Sequence, residues 1–138
     1  MEEKKINNDC WVIRLEKGEK IVEKLKEFCK VNSLSGGFFF GLGAVEYVEL
    51  AHYDLDKKKY STVELKKPLE LLNITGSIGV GKELIVHAHI TLSDNKMHAF
   101  GGHLVEAVIS GTLEVYFIKL SALRKKHDSQ TGLNLFDF

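Results

Sequence analysis

The chain has 138 residues, 44% of them hydrophobic and 28% charged, enough for one domain with its own core and ordinary for a globular protein. Nineteen Lys and Arg balance nineteen Asp and Glu, so no global field draws the chain to nucleic acid or an anionic membrane. Only Arg14 and Arg124 are arginines, which leans away from base-specific DNA reading, where the guanidinium fork does most of the work.

Met1-Glu2-Glu3-Lys4-Lys5 lacks the apolar stretch of a signal peptide, and no apolar run is long enough to span a bilayer, so a cytoplasmic protein is expected. Cys10–Leu15 reads as a strand with Trp11, Ile13 and Leu15 on one face and Cys10, Val12 and Arg14 on the other. Gly18–Val31 is the clearest helix: Ile21, Val22, Leu25, Phe28 and Cys29 recur at helical spacing, with Lys and Glu on the opposite face. Cys10 and Cys29 fall in a strand and a helix and read as buried free thiols.

Gly36–Gly43 is rich in glycine and aromatics, and its triple Phe predicts a strand covered on both faces, by the helix and a loop or by another subunit. Gly41 and Gly43 flank an expected bulge or turn, after which Val45–Asp54 is a second strand. Asp56–Lys59 is a polar hairpin turn, Tyr60–Leu65 returns, and Pro68 ends that strand. Leu69–Val80 and Glu83–Leu92 are further strands, followed by a turn at Ser93–Lys96. Glu106–Ser110 and Thr112–Leu120 are two strands broken at Gly111, Leu123–His127 is a basic segment read as a helix candidate, and the apolar tail Thr131–Phe138 is expected to pack on the body or a neighbour. The expected architecture is α+β over residues 1–138 as one unit, a mainly antiparallel sheet with one long helix.

Gly76-Ser77-Ile78-Gly79-Val80-Gly81-Lys82 has the spacing of a phosphate loop. Such a loop needs Ser or Thr after the lysine and a helix behind it. Glu83 and a β pattern follow here instead, so the stretch reads as a hairpin.

The histidines carry more. His87 and His89 lie two apart in an apolar strand and so share a face. Two imidazoles on one face need partners for their ring nitrogens, and a divalent ion such as Zn2+ takes one nitrogen of each directly. His103 follows a glycine pair able to fold the backbone back and is the candidate third ligand. The competing reading is a histidine pair facing solvent or an oligomer interface. Three histidines plus water describe an open, reactive site rather than a closed structural one. Glu106, three residues on, reads as a salt-bridge partner, an acceptor orienting an imidazole, or a general base for a metal-bound water. His52, His98 and His127 read as surface residues.

His87-Ala88-His89-Ile90-Thr91-Leu92-Ser93-Asp94 with Gly101-Gly102-His103-Leu104-Val105-Glu106 resembles the signature of the PPC domain, the plants and prokaryotes conserved domain. Arg14–Glu19, Gly41–Ala44 and Thr131-Gly132 with its apolar ending resemble other parts of that family. The resemblance implies a mainly antiparallel α+β fold, a homotrimer, and His87, His89 and His103 as metal ligands. Plant members carry AT-hooks that bind AT-rich DNA. This chain has no Gly-Arg-Pro core and a single proline, Pro68, so the family's DNA-binding label lacks its DNA-binding element here. Two functions follow: a stand-alone trimeric metal-binding protein, with metal-dependent chemistry on a small molecule as its extension, or a DNA-associated regulatory protein using Lys57-Lys58-Lys59 and Lys66-Lys67.

Overall fold

The computed structural model describes residues 1–138. In chain order the elements are β1 (Glu2–Lys5), β2 (Cys10–Glu16), α1 (Ile21–Val31), β3 (Gly37–Asp54), β4 (Lys59–Leu65), β5 (Leu69–Val80), β6 (Leu84–Ser93), β7 (Ala99–Lys119), β8 (Lys125–His127) and β9 (Asn134–Phe136). Seven strands form one antiparallel sheet ordered β1-β2-β7-β6-β5-β3-β4, and β8 and β9 form a separate hairpin. The sheet curls on itself because the first half of β3 pairs with β5 on one side and with β7 on the other. No helix is long and apolar enough to cross a membrane.

Two long strands run through glycines where breaks are expected from sequence. Gly37–Gly43 and Val45–Asp54 lie in one strand, β3, with register shifts beside Gly43. Gly111 sits inside β7 rather than ending it. In a curling sheet such positions absorb the bend as bulges without leaving the ladder.

The interior lies between the concave side of the sheet and α1. The helix starts at Ile21, three residues later than the periodicity suggests, because Gly18 turns at φ +83° and its N–H donates to the Ile109 carbonyl at 2.8 Å. Its buried stripe is Ile21, Leu25, Phe28 and Cys29. Phe28 meets Trp11 and Phe117 edge-on, with ring centroids 5.9 and 5.1 Å apart. Cys10 and Cys29 are free, and burial pushes the Cys29 thiol up to about 12, which keeps it unreactive.

Strand alternation puts Phe39 in this core and leaves Phe38 and Phe40 on the convex face, 39% and 42% exposed. One face of the Phe run is therefore covered by this chain and the other is open. Two further segments differ from the sequence reading. The basic Leu123–His127 segment forms no helix, since Lys125–His127 pairs with Asn134–Phe136 as a hairpin. The Glu2–Lys5 strand has no apolar period to announce it in the sequence, yet it pairs with β2 at the sheet edge, where Glu2 meets Arg14 at 3.0 Å.

Candidate metal centre

In β6, Ala88, Ile90 and Leu92 point into the core, so His87 and His89 project from the convex face. In β7, Leu104 points inward and His103 outward. Register completes the arrangement: His89 is the direct cross-strand partner of His103. On the other side of β6, Ser77 lies opposite His87 and Thr75 opposite His89.

The glycine pair before His103 works differently from the fold-back its composition suggests. The reversal is made earlier, where the Asp94 carboxylate accepts from the Lys96 and His98 N–H groups at 2.9 and 3.0 Å and Met97 turns at φ +65°. Gly101 and Gly102 stay extended within β7. A Cβ at Gly101 would run into the Ile90 carbonyl. The missing side chain thus lets β7 approach β6 closely, just where His103 comes level with His89.

The three rings form a near-triangle with centroid separations of 5.4, 5.2 and 5.5 Å. One nitrogen from each lies within 4.8 Å of the others, and no carboxylate or thiol joins the group. The chain's side-chain hydrogen bonds leave all three rings unengaged. An ion with nitrogen ligands at about 2.0–2.1 Å needs those nitrogens roughly 3.4 Å apart, so shifts of about an ångström would close the set. Three neutral imidazoles suit zinc and its transition-metal neighbours better than calcium or magnesium, which prefer oxygen. Beside them, the Tyr60 ring tilts against His103 at 5.3 Å and is itself backed by Tyr53 at 4.7 Å. No sequence pattern marks Tyr60, because it reaches the site only through the pairing of β4 with β3.

Burial of its ring, reinforced by Lys125, His103 and His89, pushes His87 down to about 4. Burial and the neighbouring His89 also lower His103. His87 therefore stays neutral, in the ligating form, well into the acidic range, and the shift at His103 favours the same neutral form. The stability of the metal-free protein follows. Above the ordinary histidine value of about 6.5, folded and unfolded chains both hold His87 neutral. Below it the unfolded chain takes the proton first, so stability falls as pH drops from there to about 4, and the His87 contribution levels off below that. The urea midpoint should be lower at about pH 5 than at about pH 7, and the difference should shrink in His87→Gln.

Glu106 lies elsewhere. Its carboxylate accepts from the N–H groups of Val22 at 2.8 Å, Ala107 at 2.9 Å and Glu23 at 3.3 Å. It thus closes the N-terminus of α1, where Lys20 offers no side-chain cap, and its charge suits the positive end of the helix dipole. Glu106→Ala should cost about 1–2 kcal/mol of stability, read by urea denaturation, with the metal content of the protein unchanged. His52, His98 and His127 are exposed and outside the cluster. The phosphate-loop look-alike lies in β5 and the bend into β6, with no helix behind it.

The sequence profile of the Plants and Prokaryotes Conserved (PCC) domain matches residues 3–121. A Bacteroides thetaiotaomicron protein with a conjectured DNA-binding role superposes at a TM-score of 0.94 with 27% identity, covering 99% of this chain and 96% of that one. A metal-containing protein from Archaeoglobus fulgidus gives 0.88 at 30% identity, covering 95% and 94% of the two chains. A plant- and prokaryote-conserved (PPC) protein from Pyrococcus horikoshii gives 0.86 at 27%, covering 94% and 91%. No curated protein sequence matches the chain.

Proposed function

The chain belongs to the Plants and Prokaryotes Conserved (PCC) domain family, and from that premise we propose that residues 1–138 act as one homotrimeric, cytoplasmic unit holding a divalent transition metal, zinc first, through His87, His89 and His103. The observation that carries this reading is the convergence of three imidazole nitrogens within 4.8 Å on rings without hydrogen-bond partners. The metal-containing Archaeoglobus relative, 30% identical, supports it. Three protein ligands leave a coordination position open, where a bound ion would supply Lewis acidity and an acidified water to a small molecule. The chain's own part is to hold three neutral nitrogens on one rigid sheet face beside an open depression lined by Phe38, Thr75, Ser77, His87 and His89.

The trimer reading has its support on the same face. Phe40 stacks on Tyr116 at 5.3 Å, and Phe38 lies opposite Ile118 across the ladder. All four are exposed, between 39% and 42%, a contiguous apolar patch of the kind that marks an interface. Because Phe38 also lines the depression beside the histidines, that interface would border the metal site. Elemental analysis of zinc-loaded protein should find one metal per chain, and light scattering should give three times the 15.6 kDa chain mass. Protein that takes up no stoichiometric metal would overturn the metal reading, and a monomeric mass the trimer reading.

The DNA-associated reading has less in its favour. Lys57 pairs with Asp54 at 3.0 Å, Lys66 with Glu64 at 3.5 Å, Lys58 donates to the Ser129 carbonyl at 2.8 Å, and Lys67 lies over the Phe100 ring. Four of the five lysines in the runs at the ends of β4 therefore have partners within the chain, which leaves little of a free cationic track.

A further inference from the structure

Lys125 has no role in the fold described so far, yet it is among the most buried charged residues of the chain, 9% exposed. The chain's ion pairs leave it out, and its amine lies 4.4 Å from the centre of the Phe136 ring. The stem is enclosed, while the amine keeps contact with solvent and has no acid to pair with.

Its place in the sheet is well determined. The Val80 N–H donates to the Leu123 carbonyl at 2.8 Å, and Val80 bridges to Arg124, which pins the start of β8 against the end of β5. The Lys125 stem then crosses Gly79, where an added Cβ would come within 3.0 Å of its Cγ and 3.1 Å of its Cε. Gly79 lies two residues from Ser77, the cross-strand partner of His87. Residues two apart on a strand share a face and are about 6.8 Å apart. Lys125 therefore lies on the histidine face, one pleat along from His87, and His87 feels its charge.

The charge balance then decides what the site wants. The ligand set is three neutral imidazoles with no acid among them, and no acid acts on His87 or His103. A divalent ion held there would keep its full charge with a lysine cation beside it. Uncompensated positive charge of that size favours an anionic guest.

Resting on the metal reading above, we propose that Lys125 makes the three-histidine site a receptor for a small oxyanion, with one oxygen completing the coordination of the ion and another meeting the Lys125 amine. The ligand class is a carboxylate or phosphate compound small enough to span from His87 to Lys125. The competing role for Lys125 is structural, a pin that holds the β8–β9 hairpin through Phe136.

Cobalt(II)-loaded protein separates the two, since its visible bands report a ligand entering the open position. Oxalate and inorganic phosphate are titrated as oxyanion probes and imidazole as the neutral control, with wild type, Lys125→Met, Lys125→Gln and Lys125→Arg compared. Met keeps the stem packing on Gly79, and Gln serves if Met fails to fold. The expected result is a loss of about tenfold or more in affinity for one or both oxyanions on removing the charge, recovery in Lys125→Arg, and unchanged cobalt content and imidazole affinity. The probe with the larger loss identifies the oxyanion. Equal oxyanion affinity in wild type and a folded neutral variant would overturn the proposal alone, leaving Lys125 as a pin. Wild-type protein that takes up no cobalt would overturn the metal reading and this one with it.

Discussion

His89→Ala should abolish tight metal binding while leaving the protein folded. His89 joins the two strands of the cluster: it shares a strand face with His87 and lies directly across the ladder from His103. Without it two imidazoles remain, and no neighbouring acid or thiol can take the vacated position. A structural zinc contributes about 10–16 kcal/mol over four ligands, so each ligand accounts for about 3 kcal/mol, or at least about a hundredfold in affinity. The side chain is exposed and projects away from the core, so circular dichroism and urea denaturation of the metal-free variant should match the parent. Competition against a chelator of known zinc affinity reads the loss. His98→Ala, outside the cluster, is the control and should bind as the parent does. Equal zinc affinity in His89→Ala and parent would remove the three-histidine site from consideration.

Phe117→Ala should be the most damaging single truncation of the fold, at about 3–5 kcal/mol. The ring is fully buried and meets Phe28 of the helix at 5.1 Å and Trp11 of β2 at 6.3 Å, both edge-on. Its backbone is the register partner of Trp11 on one side and Phe39 on the other. One side chain thus ties the only helix to the three strands where the sheet curls, and neighbours held in two ladders cannot collapse into the space it leaves. Against a domain stability of about 5–15 kcal/mol the loss is a large share. Urea denaturation followed by Trp11 fluorescence measures it, and a cost under about 1 kcal/mol would mean that the aromatic cluster is not the centre of the core.

Much of this was legible from adjacent residues. The helical stripe of Ile21, Leu25, Phe28 and Cys29 has one period, and it is the buried face of α1. Alternation along Leu84–Ser93 puts His87 and His89 on one face because Ala88, Ile90 and Leu92 need the other. Where the reading went astray, the missing information was non-local. Glycines inside β3 and β7 look like breaks until the curl of the sheet requires them. The charged Glu2–Lys5 strand has no apolar face to announce it. Leu123–His127 pairs with a segment that lies beyond a loop.

Which side chains share a face follows from the order of residues alone, since a period of two or of 3.6 residues is a property of neighbours in the chain. The same order also carried a family signature in which His103 joins His87 and His89. What meets across the sheet depends on how the strands pair. His103 comes level with His89 because Gly101 lets β7 close on β6. Glu106 closes a helix 84 residues away in the chain, and Lys125 crosses Gly79 to stand beside His87. The physical reason is that register and docking are set by the burial of the whole core at once. A polar residue on the convex face takes its neighbours from that packing rather than from its place in the chain.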